Sequence, residues 1–471
     1  TAFSMKDLFL NERKNWVSLL FFCLASRLLS SIYYIEDPDS LRFVLGVLDY
    51  DVSKMQPHFP AYPVFCFIVK IFHLVTGRYA LSFSLIGGLA TFAIIYFTLE
   101  IARIKIVESF GLALVFILFF NPLLWLMSNR YMPDLLGVAL CLYACLFVSK
   151  RNKMTSQIGF LIAGLLLGVR LSYAPLILPS LLWSLWISKD KWWLLGAGIS
   201  GIVAWLIPLI YITGWDALVV AGQMQTAGHF SEFGGTVTTE PDYDFRATKL
   251  LEGLWADGFG LYWLGRHWVT MGAAIMLLGM IAMCWQDLVE RFNKISLRNS
   301  LFWGCVLYLT WIFFFQNVIY KSRHVLPLLP ILSLFPAYLI AQFNLRSNVF
   351  KVAALCFVGC YSYATLHLVV QHKQPSAIAQ VYNHLNDIND KNLHVASTPL
   401  IKYYLAAQGI KAVFIPIESR EDLTRLEKTE DSMQLVVIGN PLKNKLPQSK
   451  RTFYHNPYVN RMWSELAVYE Y

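Results

Sequence analysis

Apolar runs close to 20 residues long, broken by short charged stretches, fill the first 370 positions of the chain. A helix rising about 1.5 Å per residue needs about 20 such residues to cross a hydrocarbon core of about 30 Å. The pattern predicts a polytopic α-helical membrane protein of about eleven transmembrane helices, near 16–35, 80–101, 107–127, 132–149, 158–174, 175–188, 192–212, 268–285, 299–316, 325–342 and 352–370. The fifth and sixth are short and meet at Tyr173-Ala174-Pro175, which suits two half-helices or one bent hairpin.

The short loops set the orientation. Arg13 and Lys14, Arg103 and Lys105, Lys150, Arg151 and Lys153, Lys189 and Lys191, Arg291, Lys294 and Arg298, and Arg346 and Lys351 all fall on one side of such an arrangement. Cytoplasmic loops collect Lys and Arg, so the N-terminus is expected to be cytoplasmic. An odd number of spans then places the loops 36–79 and 213–267, and everything after 371, on the outer side. The expected division is a transmembrane domain over 1–370 and an extracytoplasmic domain over 371–471.

The period changes in the tail. Residues 375–388 read as a helix, Leu393–Ser397 as a strand, and Pro399–Gly409 as a helix with Pro near its start and Gly at its end. A second strand follows over 411–417. Ser419-Arg420-Glu421-Asp422 resembles a capping box, and 433–440 is a third strand. Alternating strands and helices predict a small C-terminal α/β soluble domain. It has no Gly-rich phosphate loop, so no cofactor is assigned to it.

Composition agrees with the spans. Hydrophobic residues make up 56% and charged residues 15% of 471 positions, against about 25% charged in soluble domains. The net charge of +9 follows from the cytoplasmic loops and implies no nucleic-acid partner. All eight cysteines lie in apolar segments, where they read as small core residues. No Asn-x-Ser/Thr sequon occurs, which favours a bacterial inner membrane over the endoplasmic reticulum.

Candidate chemistry gathers in the outer loops. Glu36-Asp37-Pro38-Asp39-Ser40-Leu41-Arg42-Phe43 puts three carboxylates at the outer end of the first span, where head groups meet water. It reads either as an exposed acidic turn or as a general base with Arg42 beside it to orient it or bind phosphate. Asp49-Tyr50-Asp51 has a spacing that oxygen ligation of a divalent cation would suit, but a metal is not favoured. Gln56-Pro57-His58-Phe59-Pro60-Ala61-Tyr62-Pro63 fixes an extended backbone, and residues 61–76 read as a helix lying on the membrane surface. The loop 213–267, with His229, Glu232 and the Gly234-Gly235 pair, has the composition of a mobile lid. Trp255 to Trp268 suits an interfacial belt.

The stretch Asp39-Ser40-Leu41-Arg42-Phe43 resembles the acid-x-x-Arg-aromatic segment of the GT-C glycosyltransferases, nearest to their aminoarabinose-transferase and protein O-mannosyltransferase branch. Phe120-Asn121-Pro122-Leu123-Leu124-Trp125 with Arg130, Pro133-Asp134-Leu135-Leu136-Gly137, Gly164-x-x-x-Gly168-x-Arg170 and the segment from Tyr320 to Pro330 are similar to that superfamily in order and topology. The chain has Ser40 where the protein O-mannosyltransferase pattern has Glu, and it lacks the Trp-Trp-Asp motif of oligosaccharyltransferases. The acceptor, whether lipid, glycan or protein, stays open.

The resemblance implies a transferase whose donor is a polyprenyl-phosphate- or polyprenyl-diphosphate-linked sugar with its tail in the bilayer, acting with inversion. The first-loop base would be Asp39, then Asp37, then Glu36. Arg42, Arg170, Lys321, Arg323 and His324 would hold the leaving phosphate, and His58, Tyr62, His229 and Glu232 would face the acceptor. No cofactor is required. A transporter or flippase of a lipid-linked substrate would show matching broken helices in two halves, and no such repeat is visible. A non-catalytic subunit of an envelope assembly, docking through the tail, is the third reading.

Overall fold

The computed structural model describes residues 5–150, 152–232, 234–293, 299–388, 392–427 and 434–471, with side chains from residue 12 onward and none for 291–293. The expected cytoplasmic Arg151, Lys294 and Arg298, the Arg291 side chain and the first residue of the 433–440 strand lie outside this set.

The helical body runs α1 (Met5–Leu29), α2 (Pro38–Leu48), α3 (Pro63–Thr76), α4 (Tyr79–Ala102), α5 (Ser109–Phe119), α6 (Pro122–Asn129), α7 (Asp134–Ser149), α8 (Lys153–Arg170), α9 (Ala174–Ile187) and α10 (Lys191–Thr213). It continues with α11 (Trp215–Ser231), α12 (Tyr243–Glu252), α13 (Val269–Met283), α14 (Trp285–Asn293), α15 (Ser300–Phe315), α16 (Leu329–Leu332), α17 (Leu334–Ala341) and α18 (Asn348–His372). Each of the eleven apolar stretches coincides with a helix or a broken pair of helices. Among the described residues, five helical segments are long and apolar enough to cross a membrane, or six if the bent pair α5–α6 is one span. Others are shorter than the apolar pattern suggested, because Pro, Gly and polar residues end them early: α7 and α15 have 16 residues each and α13 has 15.

Two expectations about the outer loops change. The acidic turn is the start of a helix, since Asp37 caps α2 through its carboxylate and Pro38 occupies the first turn, where no N–H is needed. The 213–267 loop is largely helical, with α11, α12 and a π-turn over Gly253–Gly258. The surface helix over 61–76 is α3, beginning at Pro63.

The α5–α6 break shows how the sequence places the site. Helix α5 ends at Phe119 and its partner leaves at 50°, because Pro122 cannot continue the ladder. The carbonyls orphaned there are taken by side chains from elsewhere. Tyr361 Oη donates to Ile117 O (3.2 Å), Thr365 Oγ1 to Phe120 O (2.6 Å) and Arg27 Nη2 to Phe119 O (2.9 Å). Arg27 is fully buried with its guanidinium 4.0 Å from the Trp125 ring centroid, so an intramembrane charge serves as a carbonyl cap. Asn121 caps α6 at Leu124 N and donates to Gly258 O. The bend aims α6 and Arg130 back towards the acid cluster.

Helices α8 and α10 touch through glycines. A Cβ at Gly164 would lie 2.3 Å from Gly198 O, and one at Gly201 would lie 2.3 Å from Leu161 O. Small residues are what allow helix backbones to approach this closely in a bilayer.

After α19 (Ala377–Ile388) comes the sheet domain: β1 (Leu393–Ser397), α20 (Pro399–Ala407), β2 (Val413–Pro416), α21 (Arg420–Leu426), β3 (Gln434–Ile438), β4 (Ser449–Tyr454) and β5 (Glu465–Glu470). The order is β2-β1-β3-β5-β4, with the first three parallel and the last two antiparallel. The Ser419/Asp422 capping box is present. The pattern did not show β4 and β5, which sit at one edge in charged sequence.

Candidate functional site: a carboxylate held by three cations

At the start of α2, Asp37 Oδ1 accepts from Ser40 N at 2.7 Å. This fixes the helix N-terminus and turns Asp39, one residue into the first turn, inward. Its Oδ2 accepts from Lys321 Nζ at 2.9 Å and Arg323 Nη2 at 2.8 Å, and Arg42 Nη1 stands 3.5 Å from Oδ1. The two long-range cations come from the 3₁₀ turn that begins at Ser322 and from the residue before it. Asp39 and Arg323 are both buried. Around them Arg42 Nε, Arg323 Nε, Ser40 Oγ and His58 Nδ1 have no hydrogen-bond partner among the described residues.

The environment separates the two aspartates. Burial acts to raise the Asp39 carboxyl, but Lys321 and Arg323, then His58 and Arg42, overcome it and hold it well below the usual range. Asp37 is raised by burial and by the negative charges of Asp39 and Glu36, which Arg130 only partly offsets. Environments that push paired carboxyls apart are what acid–base chemistry requires. His58 is pushed down to about 3, chiefly by burial, with Asp39 acting the other way. Its Nε2 lies 3.3 Å from Tyr62 Oη.

Two further ion pairs flank this centre. Beneath it Arg170 Nη2 meets Asp134 Oδ1 at 2.8 Å, Arg170 Nη1 donates to Tyr62 Oη at 3.3 Å, and Tyr173 Oη approaches Asp134 at 3.4 Å. Arg170, expected to bind phosphate, is therefore committed to a carboxylate. Beside it the fully buried Glu36 accepts from Arg130 at 2.7 Å and lies 3.1 Å from His372 Nε2. Burial raises the Glu36 carboxyl, yet Arg130 and His372 bring it down to about 2.

A cavity of about 30 Å³ lies over the aspartates, walled by Asp37, Asp39, Arg130, Lys321 and Arg323, with Leu123 and Leu126 of α6 and Pro457–Met462 of the sheet domain completing it. Of the sequence candidates, Asp37, Asp39, Lys321 and Arg323 line it, and Arg42 touches Asp39 from behind. His58 and Tyr62 form a second layer. His324 is buried, its carbonyl accepting from Tyr308 Oη. His229 lies 2.7 Å from Phe315 O and Glu232 is exposed; neither lines the cavity. Asp49 and Asp51 share Lys54, at 3.7 and 2.9 Å, and among the described residues no group of three or more His, Cys, Asp or Glu is placed to hold a metal.

Sequence reasoning named Arg130 and Asp134 only as parts of the resembling motifs, with no role, and it missed His372 and the 457–462 segment. The first two were legible as charges bracketing Pro133 between apolar runs, where an ion pays for its place only with a partner. The last two carry no such signal.

The chain is thus a helical body with an acid cluster just after its first long helix and an α/β domain following it. Solved structures that match include ArnT from Cupriavidus metallidurans bound to undecaprenyl phosphate (TM-score 0.53, 11% identity, 96% of this chain and 98% of that one) and the same protein in its apo state (0.51, 12%, 97% and 98%). The Archaeoglobus fulgidus oligosaccharyltransferase also matches, at TM-score 0.47 and 12% identity over 86% of this chain and 62% of that one. The two ArnT likenesses establish the fold. No family model and no curated relative matches the sequence.

Proposed function

We propose that the protein is a membrane glycosyltransferase that moves a monosaccharide from a polyprenyl-phosphate carrier to a hydroxyl-bearing acceptor on the outer side, with eleven spans and a cytoplasmic N-terminus in a bacterial inner membrane. The observation that carries this reading is Asp39. A single buried carboxylate draws in Lys321, Arg323 and Arg42, and donor atoms around it remain unpaired. Such a cradle suits a phosphate better than it suits one carboxylate. The ArnT whose fold the chain shares has been solved with undecaprenyl phosphate, which supports a lipid-phosphate partner.

In this mechanism the donor phosphate takes Lys321 and Arg323, and Asp39 loses its counter-charges and becomes basic enough to accept the acceptor's hydroxyl proton. The acceptor oxygen bonds to the anomeric carbon, the bond from that carbon to the phosphate oxygen breaks, and polyprenyl phosphate departs with the electron pair, leaving the configuration inverted. Lys321 and Arg323 stabilise the charge that builds on the departing oxygens. The test is incubation of purified protein with a panel of polyprenyl-phosphate sugars, scoring released polyprenyl phosphate. Release that Asp39→Asn abolishes is expected; no release from any donor, with or without added acceptors, counts against the reading.

A further inference from the structure

The sequence reading assigned no chemistry to the tail, yet residues 457–462 form the roof over Asp37 and Asp39. Asn460 in that roof is 3% exposed. Its Oδ1 accepts from Met462 N at 2.9 Å, which settles the orientation of the amide and leaves Nδ2 as the free end. Nδ2 is buried and has no partner among the described residues. Leaving a buried donor unpaired costs about 1–3 kcal/mol, so an oxygen is expected to meet it in use.

The roof is also too close for a substrate. A water's share of liquid volume is about 30 Å³, so the 30 Å³ cavity holds a water and no sugar. What keeps the roof down is mostly polar. Arg461 Nη2 binds Glu252 Oε1 at 2.8 Å and Asp257 Oδ2 at 2.7 Å, both on the α12 and π-turn segment, and Arg461 Nε reaches Asp257 at 2.9 Å. Arg130 donates to Val459 O and Tyr458 Oη to Leu264 O. The apolar part is Val459 and Tyr458 on Leu126 and Leu368. The latch is thus a few largely buried polar contacts centred on one arginine, 17% exposed against 6% and 3% for its partners, which a single substitution can release.

We propose that Asn456–Met462 is the movable acceptor-side wall of the site, latched by Arg461 on Glu252 and Asp257, and that Asn460 donates to an oxygen of the acceptor once the wall has closed on it. The inference rests on the transferase reading for the word acceptor, but the wall and its latch stand apart from it. The acceptor side follows from placement. Leu123, Leu126, Lys321 and Arg323 belong to the apolar helical body, which suits a lipid-linked donor, and the roof belongs to the sheet domain.

The test has two arms. In the first, Asn460→Cys in lipid nanodiscs is labelled with N-ethylmaleimide, with Leu446→Cys, at a site 94% exposed, as the open reference. Labelling at 460 at least tenfold slower than at 446, and accelerated about tenfold by Arg461→Ala, is expected. Equal rates, or no response to Arg461→Ala, overturn the wall. In the second, undecaprenyl-phosphate glucose is the donor and methyl glucoside the hydroxyl probe. Asn460→Ala should raise the probe's KM at least fivefold with the donor's KM unchanged, and Asn460→Ser, which keeps a donor, should recover part of it. An unchanged probe KM means Asn460 meets only water and overturns its role. If no variant or wild type turns over any donor, the transferase reading fails, and the labelling arm still decides the wall. Thermal unfolding of each variant separates misfolding from either result.

Discussion

If Asp39 occupies the cations that the donor phosphate needs, then Asp39→Asn should bind the leaving lipid phosphate more tightly while losing transfer. In the resting structure Oδ2 accepts from Lys321 and Arg323 at 2.9 and 2.8 Å. Hydrogen bonds to a charged group contribute about 1.5–3 kcal/mol and neutral ones about 0.5–1.5 kcal/mol. Exchanging carboxylate for amide therefore weakens each bond by about 1–1.5 kcal/mol, which the incoming phosphate no longer has to displace. The Lys321 side chain is 31% exposed, so solvent halves its share, and about 1.5–2 kcal/mol remains. At about 1.4 kcal/mol per tenfold, undecaprenyl phosphate should bind roughly 10–30-fold more tightly. Loss of the base should lower transfer by about 10²–10⁴-fold. Titration of the purified variant with undecaprenyl phosphate, read by intrinsic tryptophan fluorescence, measures the first effect, and lipid phosphate release the second. A variant that binds the lipid no better than wild type, or that retains transfer, refutes the competition between Asp39 and phosphate.

Glu36 falls from 4.5 to about 2 on folding, so its contribution, on the order of 3 kcal/mol, is present above pH about 4.5 and is lost as pH falls towards 2; the wild-type melting temperature should drop across that window, and Glu36→Gln, already lower at pH 7, should show a shallower drop. An identical pH slope in the two proteins would sink that account. Gly164→Val places atoms against Gly198 O and should destabilise by about 1–3 kcal/mol or more through overpacking, read as a lower melting temperature in detergent, whereas the same change at Gly196, which has nothing within 4 Å, should not. Arg27→Met strips Phe119 O of its donor and should cost about 1–3 kcal/mol with no change in undecaprenyl phosphate affinity; altered lipid binding would mean that Arg27 belongs to the site.

Much of the body was legible because a membrane span announces itself by length and apolarity, and Pro and Gly mark its ends. Helix α2 was not, since three acids and a proline look like a turn until Asp37 is seen to cap Ser40. The 213–267 stretch was read as a lid because its charges and glycines lack a helical apolar face. Its α12 is nevertheless anchored from the opposite side, where the fully buried Arg246 donates to Gly235 O and Gln316 O. For the site, Asp39 and its three cations were named from sequence because each stands in a short charged cluster between apolar runs. Arg170 was named without the contact it makes here. Its partner, Asp134, is 36 residues away, and no periodicity links the two.

The pairing of Arg170 with Asp134 bears on how the site is charged. Arg170 with Asp134, Arg130 with Glu36, and Arg461 and Lys249 with Asp257 and Glu252 each neutralise themselves. Among the described residues only Asp39 is met by three cations. An unbalanced buried cluster is costly unless a second anion completes it, and the flanking pairs cannot lend one without orphaning their own arginines. The donor's phosphate would add an anion where the excess stands, one charge as the sugar diester and up to two as the departing monoester, and displacing Asp39 from Lys321 would free its carboxylate to act as a base. The same charge count that makes the resting site strained therefore selects the ligand and arms the catalyst. A substitution that lowers the excess by one charge, such as Arg42→Gln, should leave the fold intact and weaken undecaprenyl phosphate binding by about tenfold, in line with about 1.4 kcal/mol for one lost charge contact; binding unchanged in that variant would mean that the third cation serves the helix alone.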